Sequence, residues 1–532
     1  MNRTRASWRP HTRVAVAGAA LGLLVAAGPA PALSASAAGS RAPVAATANG
    51  EVRGLANGAG DEFLGIPYAA PPVGALRWRP PQPAASWPGV RDATQFAPHC
   101  PQLAGPFGQA STSENCLFLN VFTPSRRQAG AGYPVMVWIH GGALVSGESN
   151  DYDPAQLVHD GVIVVTVNYR LGALGFLAHP ALADANGQSG DYGFMDQQAA
   201  LRWVQRNIAN FSGDTRNVTV FGESAGGLST LVQVASPQAK GLFQRAIAES
   251  GSYNLTQAPL AGAETAGEAF AAKAGCASQT AACLRSLPVA TILADQDSAG
   301  YTPNINTEVL PQSLGTAFAT GAFNRVPVIN GTNHDEYRLF VALDELAGNP
   351  VTASNYQSMI SSTLGVPAAV AAVIAAQYPL TAYASPPVAL GAVGTDAIFA
   401  CPALSIDQSL SRFVPTFAYE FNDQNAPEDF LPPAGFPYGA AHASEIQYLL
   451  ALPMAAFPGT LSAQQQQLAA IMKGYWTDFA KRGFPSSPGT PFWPLFSTRT
   501  QTIQSLVPPV PRAETGFAAE HDCAFWTALE SG

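Results

Sequence analysis

Ser224 stands in Gly222-Glu223-Ser224-Ala225-Gly226, between the strand-like run Asn217-Val-Thr-Val-Phe221 and the helical run Leu228 to Val234. Small residues around the serine allow the tight strand-to-helix turn that lifts a hydroxyl clear of a sheet. The chemistry on offer is nucleophilic attack. A serine hydroxyl is a weak nucleophile at neutral pH, so it needs a base to take its proton and an acid to orient that base. The same pentapeptide also occurs as a plain tight turn, which requires neither.

After an elbow of this kind the acid and then the histidine follow the serine along the chain. Of eight histidines, His334, His442 and His521 lie downstream of Ser224. His521 is two residues from Cys523 and would be tethered by a disulfide there, and His334 adjoins Asp335 and Glu336. His442 sits in Pro437-Tyr-Gly-Ala-Ala-His442-Ala-Ser-Glu445, a loop after the strand-like Thr416 to Phe421, where catalytic side chains usually project. Asn330-Gly-Thr-Asn-His-Asp335-Glu336 follows the apolar Val326 to Ile329, and by position alone either carboxylate could be the acid. Taken singly, Glu336 also reads as an ion-pair partner of Arg338 and His442 as a hydrogen-bonded loop histidine.

Gly331-Thr-Asn-His-Asp-Glu336 resembles the acid loop of type-B carboxylesterases, the family that includes cholinesterases and bile-salt lipases. The resemblance extends to Phe63-Leu-Gly-Ile-Pro-Tyr-Ala69, Pro71-Pro-Val-Gly74, Glu114-Asn-Cys-Leu-Phe-Leu-Asn-Val121, Asn168-Tyr-Arg-Leu-Gly172 and Gly439-Ala-Ala-His442, and covers the chain from about Glu51 to Trp526. It implies the triad Ser224, Glu336 and His442. It also implies an α/β-hydrolase fold, a large mostly parallel central sheet flanked by helices, with helical insertions over the active site.

Acyl transfer needs donors aimed at the oxyanion of the tetrahedral intermediate. Pro134-Val-Met-Val-Trp-Ile139 reads as a strand covered on both faces, and His140-Gly141-Gly142-Ala143 ends it in a glycine-rich turn. The resemblance implies oxyanion donors in the backbone N–H groups of Gly142, Ala143 and Ala225, with Ala143 where many relatives carry a third glycine. It also implies supporting roles for Glu223, stabilising the imidazolium, and Ser250, holding the acid. The plainer reading has Glu223 satisfying backbone donors and Ser250 in a turn.

The elements that position these residues begin strand-rich and then alternate. Val162 to Val167 and Phe417 to Phe421 read as strands, and Ala199, Trp203, Val204, Ile208 and Phe211 give Met195 to Phe211 a helical spacing. Thr256 to Thr316 and Asp344 to Tyr378 look mostly helical, and Met359, Leu364 and Val366 are as compatible with core as with the wall of a gorge. No linker or repeat interrupts the chain after residue 50, so 51–532 reads as one elaborated domain.

Arg3, Arg5, Arg9 and Arg13 precede an apolar run from Val14 to Ala27 and the small residues through Ala35-Ser-Ala37, the layout of a secretory signal peptide over 1–37. Residues 38–50 read as a flexible leader, and no later segment looks transmembrane. Six cysteines admit many pairings. The family pattern implies Cys100 with Cys116, Cys276 with Cys283, and Cys401 with Cys523. Removing residues 1–37, with four arginines and no acids, takes the formal charge from −9 to −13, which disfavours nucleic acid as a partner. The segment between Cys100 and Cys116 lacks tryptophan, which disfavours a cholinesterase. The reading is a secreted serine carboxylic-ester hydrolase acting on small to medium acyl esters, requiring no metal or cofactor. A long-chain lipase and a catalytically silent binding module on the same fold are the alternatives.

Overall fold

The computed structural model describes residues 42–58, 60–125, 132–296, 301–486 and 489–531. The expected signal peptide and the first residues of the expected leader lie outside them. The rest of the leader is a correction: Val44–Thr47 is a strand paired antiparallel with Gly50–Arg53, and Val90–Asp92 completes a three-stranded sheet. The register sets Ala45 opposite Val52, and this buried pair supplies the packing that an alanine-rich stretch conceals in the sequence.

Eleven strands form the main sheet. In chain order they are β1 (Leu55–Ala56), β2 (Gly60–Pro67), β3 (Phe118–Pro124), β4 (Tyr133–Ile139), β5 (Ile163–Val167), β6 (Gly213–Glu223), β7 (Arg245–Glu249), β8 (Val328–Asn333), β9 (Thr416–Phe421), β10 (Ile503–Leu506) and β11 (Arg512–Glu514). Their spatial order is β11-β10-β9-β8-β7-β6-β4-β5-β3-β2-β1. From β10 to β5 every pairing is parallel, while β11 and β3 to β1 add antiparallel edges. Parallel neighbours need crossover connections, and helices supply them on both faces.

Burial on both faces explains the unbroken apolar run of β4. Val135, Val137 and Ile139 pack with Val165, Trp203, Leu228 and Leu231, whereas Met136 and Trp138 pack with Phe221, Met472 and Trp476. The helix expected near Met195 spans Tyr192–Asn207 and tightens into a 3-10 turn at Ile208–Phe211. The strand expected at Val326 to Ile329 lies instead at Val328–Asn333. Its polar residues are buried and partnered: Asn330 donates to Asp407 at 3.0 Å and accepts from Ser252 at 2.9 Å.

The regions expected to be helical contain Leu260–Lys273, Ala281–Ser286, Val289–Asp295, Leu314–Thr320, Tyr356–Leu364 and Ala368–Gln377. Met359, Leu364 and Val366 pack against a core cluster that includes Val341 and Ile374. Pro386–Leu410 is long and apolar enough to cross a membrane, but 67% of its apolar window is buried inside the protein, the pattern of a core helix. Its middle, Thr395–Ala400, is a π-helical turn, a feature that often re-aims side chains at functional sites. The three disulfides join Cys100 to Cys116, Cys276 to Cys283, and Cys401 to Cys523.

Candidate active site

Strand β6 ends at Glu223, the helix Ala225–Ala235 starts at the next residue but one, and Ser224 forms the corner with φ +55° and ψ −122°. A side-chain-bearing residue there costs about 1–3 kcal/mol and persists only where its surroundings enforce it. Here the Ser224 N–H donates to the Glu249 carbonyl at 2.9 Å and the Leu228 N–H to the Ser224 carbonyl at 2.8 Å. A Cβ on Gly226 would lie 1.9 Å from the Ile139 carbonyl oxygen, so glycine is what lets the end of β4 press against the elbow. The turn His140 to Ala143 that leaves β4 is therefore held beside Ser224.

That turn folds back on itself, with the N–H groups of Val145 and Ser146 donating to the Gly142 carbonyl at 3.0 and 2.9 Å. Gly142 has φ +99°, and a Cβ there would meet the Ser146 carbonyl oxygen at 2.3 Å. Ala143 and Leu144 are also left-handed, at +54° and +60°. His140 stacks on Tyr169, whose hydroxyl donates to the His140 carbonyl at 2.8 Å, and burial lowers its imidazole to about 4. Gly142 and Ala143 line the same cavity as Ser224, and Ala225 is the first residue of the elbow helix.

His442 reaches this cavity from the loop after β9, and Glu336 from the turn after β8. Glu336 Oε2 is 2.5 Å from His442 Nδ1. Its Oε1 accepts from the Thr332 hydroxyl and the Asn333 N–H, both at 2.7 Å, so the carboxylate is fixed on three sides. Phe340 and Phe399 flank the imidazole at ring distances of 5.2 and 5.1 Å, Phe399 coming from the π-helical turn. His442 Nε2 forms no hydrogen bond and lies 3.3 Å from Glu223 Oε1. Ser224, Glu223 and His442 share a cavity of about 420 Å³. Catalytic hydrogen bonds are often loose before substrate enters, so an open Nε2 is compatible with a role as base.

Asp335, the rival acid, joins the two loops. Its Oδ2 accepts the Ala440 N–H, its N–H donates to the Ala440 carbonyl, both at 2.9 Å, and its Oδ1 pairs with Arg338 at 2.7 Å. Arg338 thus belongs to Asp335 and not to Glu336. The two other histidines are engaged elsewhere. His521 lies between Asp396 and Glu420, 2.6 Å from each, and His334 contacts Asp335 and Glu520. Glu420, Glu514 and Glu520 bring carboxylate oxygens within 4.8 Å of one another, the one metal-compatible group among the described residues, and it is absent from the cavity lining.

Three buried acids, Glu223, Glu336 and Glu445, act on His442. Burial alone would lower the imidazole, but the charges of Glu223, Glu336 and Glu445 outweigh it and raise it to about 9. Burial pushes Glu223 and Glu249 well above the usual carboxylate range, and burial with the Glu336 charge brings Glu445 up to about 7. Glu223 and His442 thus compete for one proton. Glu445, three residues after His442, was not singled out in the sequence; it accepts from Asn333 Nδ2 at 2.6 Å. Ser250 is a difference from expectation, since its buried hydroxyl has no partner and its N–H, donating to the Gly331 carbonyl at 2.9 Å, ties β7 to β8.

A family model described as the carboxylesterase family matches residues 41–526. The chain is 34% identical over 494 residues to an acylcarnitine hydrolase of Mus musculus, covering 87% of this chain and 86% of that protein. It is 34% identical over 527 residues to a cocaine esterase of Homo sapiens, with 92% and 91% covered. Identity reaches 36% over 479 residues with a fumonisin B1 esterase of Sphingopyxis macrogoltabida, with 86% and 85% covered.

Proposed function

The chain belongs to the carboxylesterase family and is a carboxylic ester hydrolase with the α/β-hydrolase fold, and from that premise we propose that it works through an acyl-enzyme formed on Ser224. His442 takes the Ser224 proton as the oxygen attacks the ester carbonyl, then delivers it to the departing alcohol. Water repeats the sequence and releases the acid. Glu336 holds His442 Nδ1 and stabilises the imidazolium. The N–H groups of Gly142, Ala143 and Ala225 receive the oxyanion, and Glu223 and Glu445 add negative potential beside the imidazole.

The observation that carries this reading is the strained Ser224 corner sharing one cavity with an imidazole whose far nitrogen is held 2.5 Å from a buried carboxylate. A plain turn requires none of these. Small to medium acyl esters fit a cavity of about 420 Å³ walled by Phe107, Leu339, Phe340, Phe430 and Ile446. Export is supported by the signal-like N-terminus and three disulfides.

The test is hydrolysis of p-nitrophenyl esters of increasing acyl length by the wild type and by Ser224→Ala. Turnover of short and medium chains that disappears in the variant is expected. Undiminished turnover in Ser224→Ala would remove the mechanism, and inactivity of the wild type would favour a silent binding module.

A further inference from the structure

We infer that Asp151 is a specificity-determining residue, its carboxyl taking up a hydrogen-bond donor, a hydroxyl or an ammonium, carried by the ester substrate. The inference rests on the reading of Ser224 as the nucleophile of this cavity. Asp151 closes the short turn Ser149–Asp151 and lines the cavity together with Ser224, Glu223 and His442. Of the acids among the described lining residues, Glu223 faces His442, which leaves Asp151 for another task.

Asp151 is backed by a prearranged chain of partners. Glu148 is 1% exposed, and its Oε2 accepts from Asn150 Nδ2 at 3.2 Å and pairs with His99 Nδ1. His99 Nε2 points at the Gln109 carbonyl, 3.1 Å away. Both neighbours of the ring are acceptors, so both nitrogens carry protons and His99 is an imidazolium. Glu148 Oε1 is buried without a hydrogen-bond partner, and the Asp151 carboxyl lies next to Glu148 as well. Two carboxyls in contact hold one proton between them. Burial and then the Glu148 charge push Asp151 up to about 8, the direction that leaves the proton with Asp151.

Asp151 brings a carboxyl to a cavity whose other walls are largely apolar, where its oxygen can accept from a substrate donor. A hydrocarbon substrate strips water from that oxygen and returns nothing, whereas a substrate donor replaces the water; such asymmetry is what makes a polar group selective. The arrangement is rigid. Gln102 bonds Gly147 in both directions, at 3.1 and 2.7 Å, so the segment closed by Cys100 and Cys116 clamps the backbone next to Glu148.

The experiment compares matched esters: propyl, 2-hydroxyethyl and 2-aminoethyl butyrate on the alcohol side, ethyl butyrate and ethyl 3-hydroxybutyrate on the acyl side. The wild type should favour the donor-bearing member on one side by about tenfold or more in kcat/KM. Asp151→Leu should bring that ratio close to one. Glu148→Gln gives Asp151 an amide donor in place of the shared proton, leaves it charged, and should raise the preference for aminoethyl over hydroxyethyl. A ratio equal in wild type and Asp151→Leu overturns the inference. Calorimetric binding of the same esters to Ser224→Ala, with and without Asp151→Leu, reads the preference without turnover, so failure of the acyl-enzyme reading is told apart from failure of this one.

Discussion

Replacing Glu223 with glutamine should move the pH dependence of turnover to lower pH. Glu223 Oε1 lies 3.3 Å from His442 Nε2, and both side chains are buried. Unit charges at that separation interact by about 5 kcal/mol at an effective dielectric constant of about 20. Burial raises Glu223 well above the usual carboxylate range, so only a share of this field acts on the imidazole. The displacement expected is about one to three pKa units. The sign follows from the role of His442, which is a base only when neutral. Burial favours the neutral ring, but the carboxylates prevail and hold it near 9; one carboxylate fewer lowers that value. Activity is lost as pH falls through the His442 pKa, so the acidic limb of kcat/KM moves down. The plateau falls as well, since the same carboxylate stabilises the imidazolium that forms in the transition state. The assay is kcat/KM for p-nitrophenyl butyrate from about pH 5 to 10 in wild type and Glu223→Gln. A limb displaced by less than about 0.3 unit would mean that Glu223 carries no charge while His442 titrates, and the electrostatic reasoning would be refuted.

Glu336→Gln should reduce kcat roughly 10⁴-fold with little change in KM, because a glutamine leaves the imidazole in the wrong tautomer; steady-state kinetics check it. Gly226→Ala should destabilise the fold by about 1–3 kcal/mol or more, because the new Cβ meets the Ile139 carbonyl at 1.9 Å; urea unfolding measures it. Burial alone would lower His521, but Asp396 and Glu420 outweigh it and raise the ring to about 10. Its contribution to stability is complete below its ordinary value of 6.5 and is lost as pH rises through about 10. His521→Gln should therefore unfold at a lower temperature than wild type at neutral pH, with the gap narrowing toward pH 10.

The proposed catalytic constellation could be read in the sequence because elbow chemistry constrains residue types tightly. A strained corner that presses on a neighbouring strand requires glycine at 222 and 226, and the order of serine, acid and histidine removes most other candidates. Position alone left Asp335 and Glu336 open; the family resemblance pointed to Glu336, and the hydrogen bonds place Asp335 as a loop staple and Glu336 beside the imidazole. Glu445 escaped notice because an acid three residues after a histidine has no sequence signature until burial turns it inward. The end of β8 was read as loop because Asn330, Thr332 and Asn333 are polar, yet pairing with β7 and β9 overrides local preference. Val44–Thr47 was hidden for the opposite reason, a composition too bland to mark a strand that its neighbours complete.

The most direct measurement is intact-protein and peptide mass spectrometry after acid quenching during turnover of a p-nitrophenyl ester. The account predicts one acyl group per chain, on the peptide containing Ser224, and none on Ser224→Ala. An acyl group on any other residue, or hydrolysis by Ser224→Ala at the wild-type rate, would contradict it.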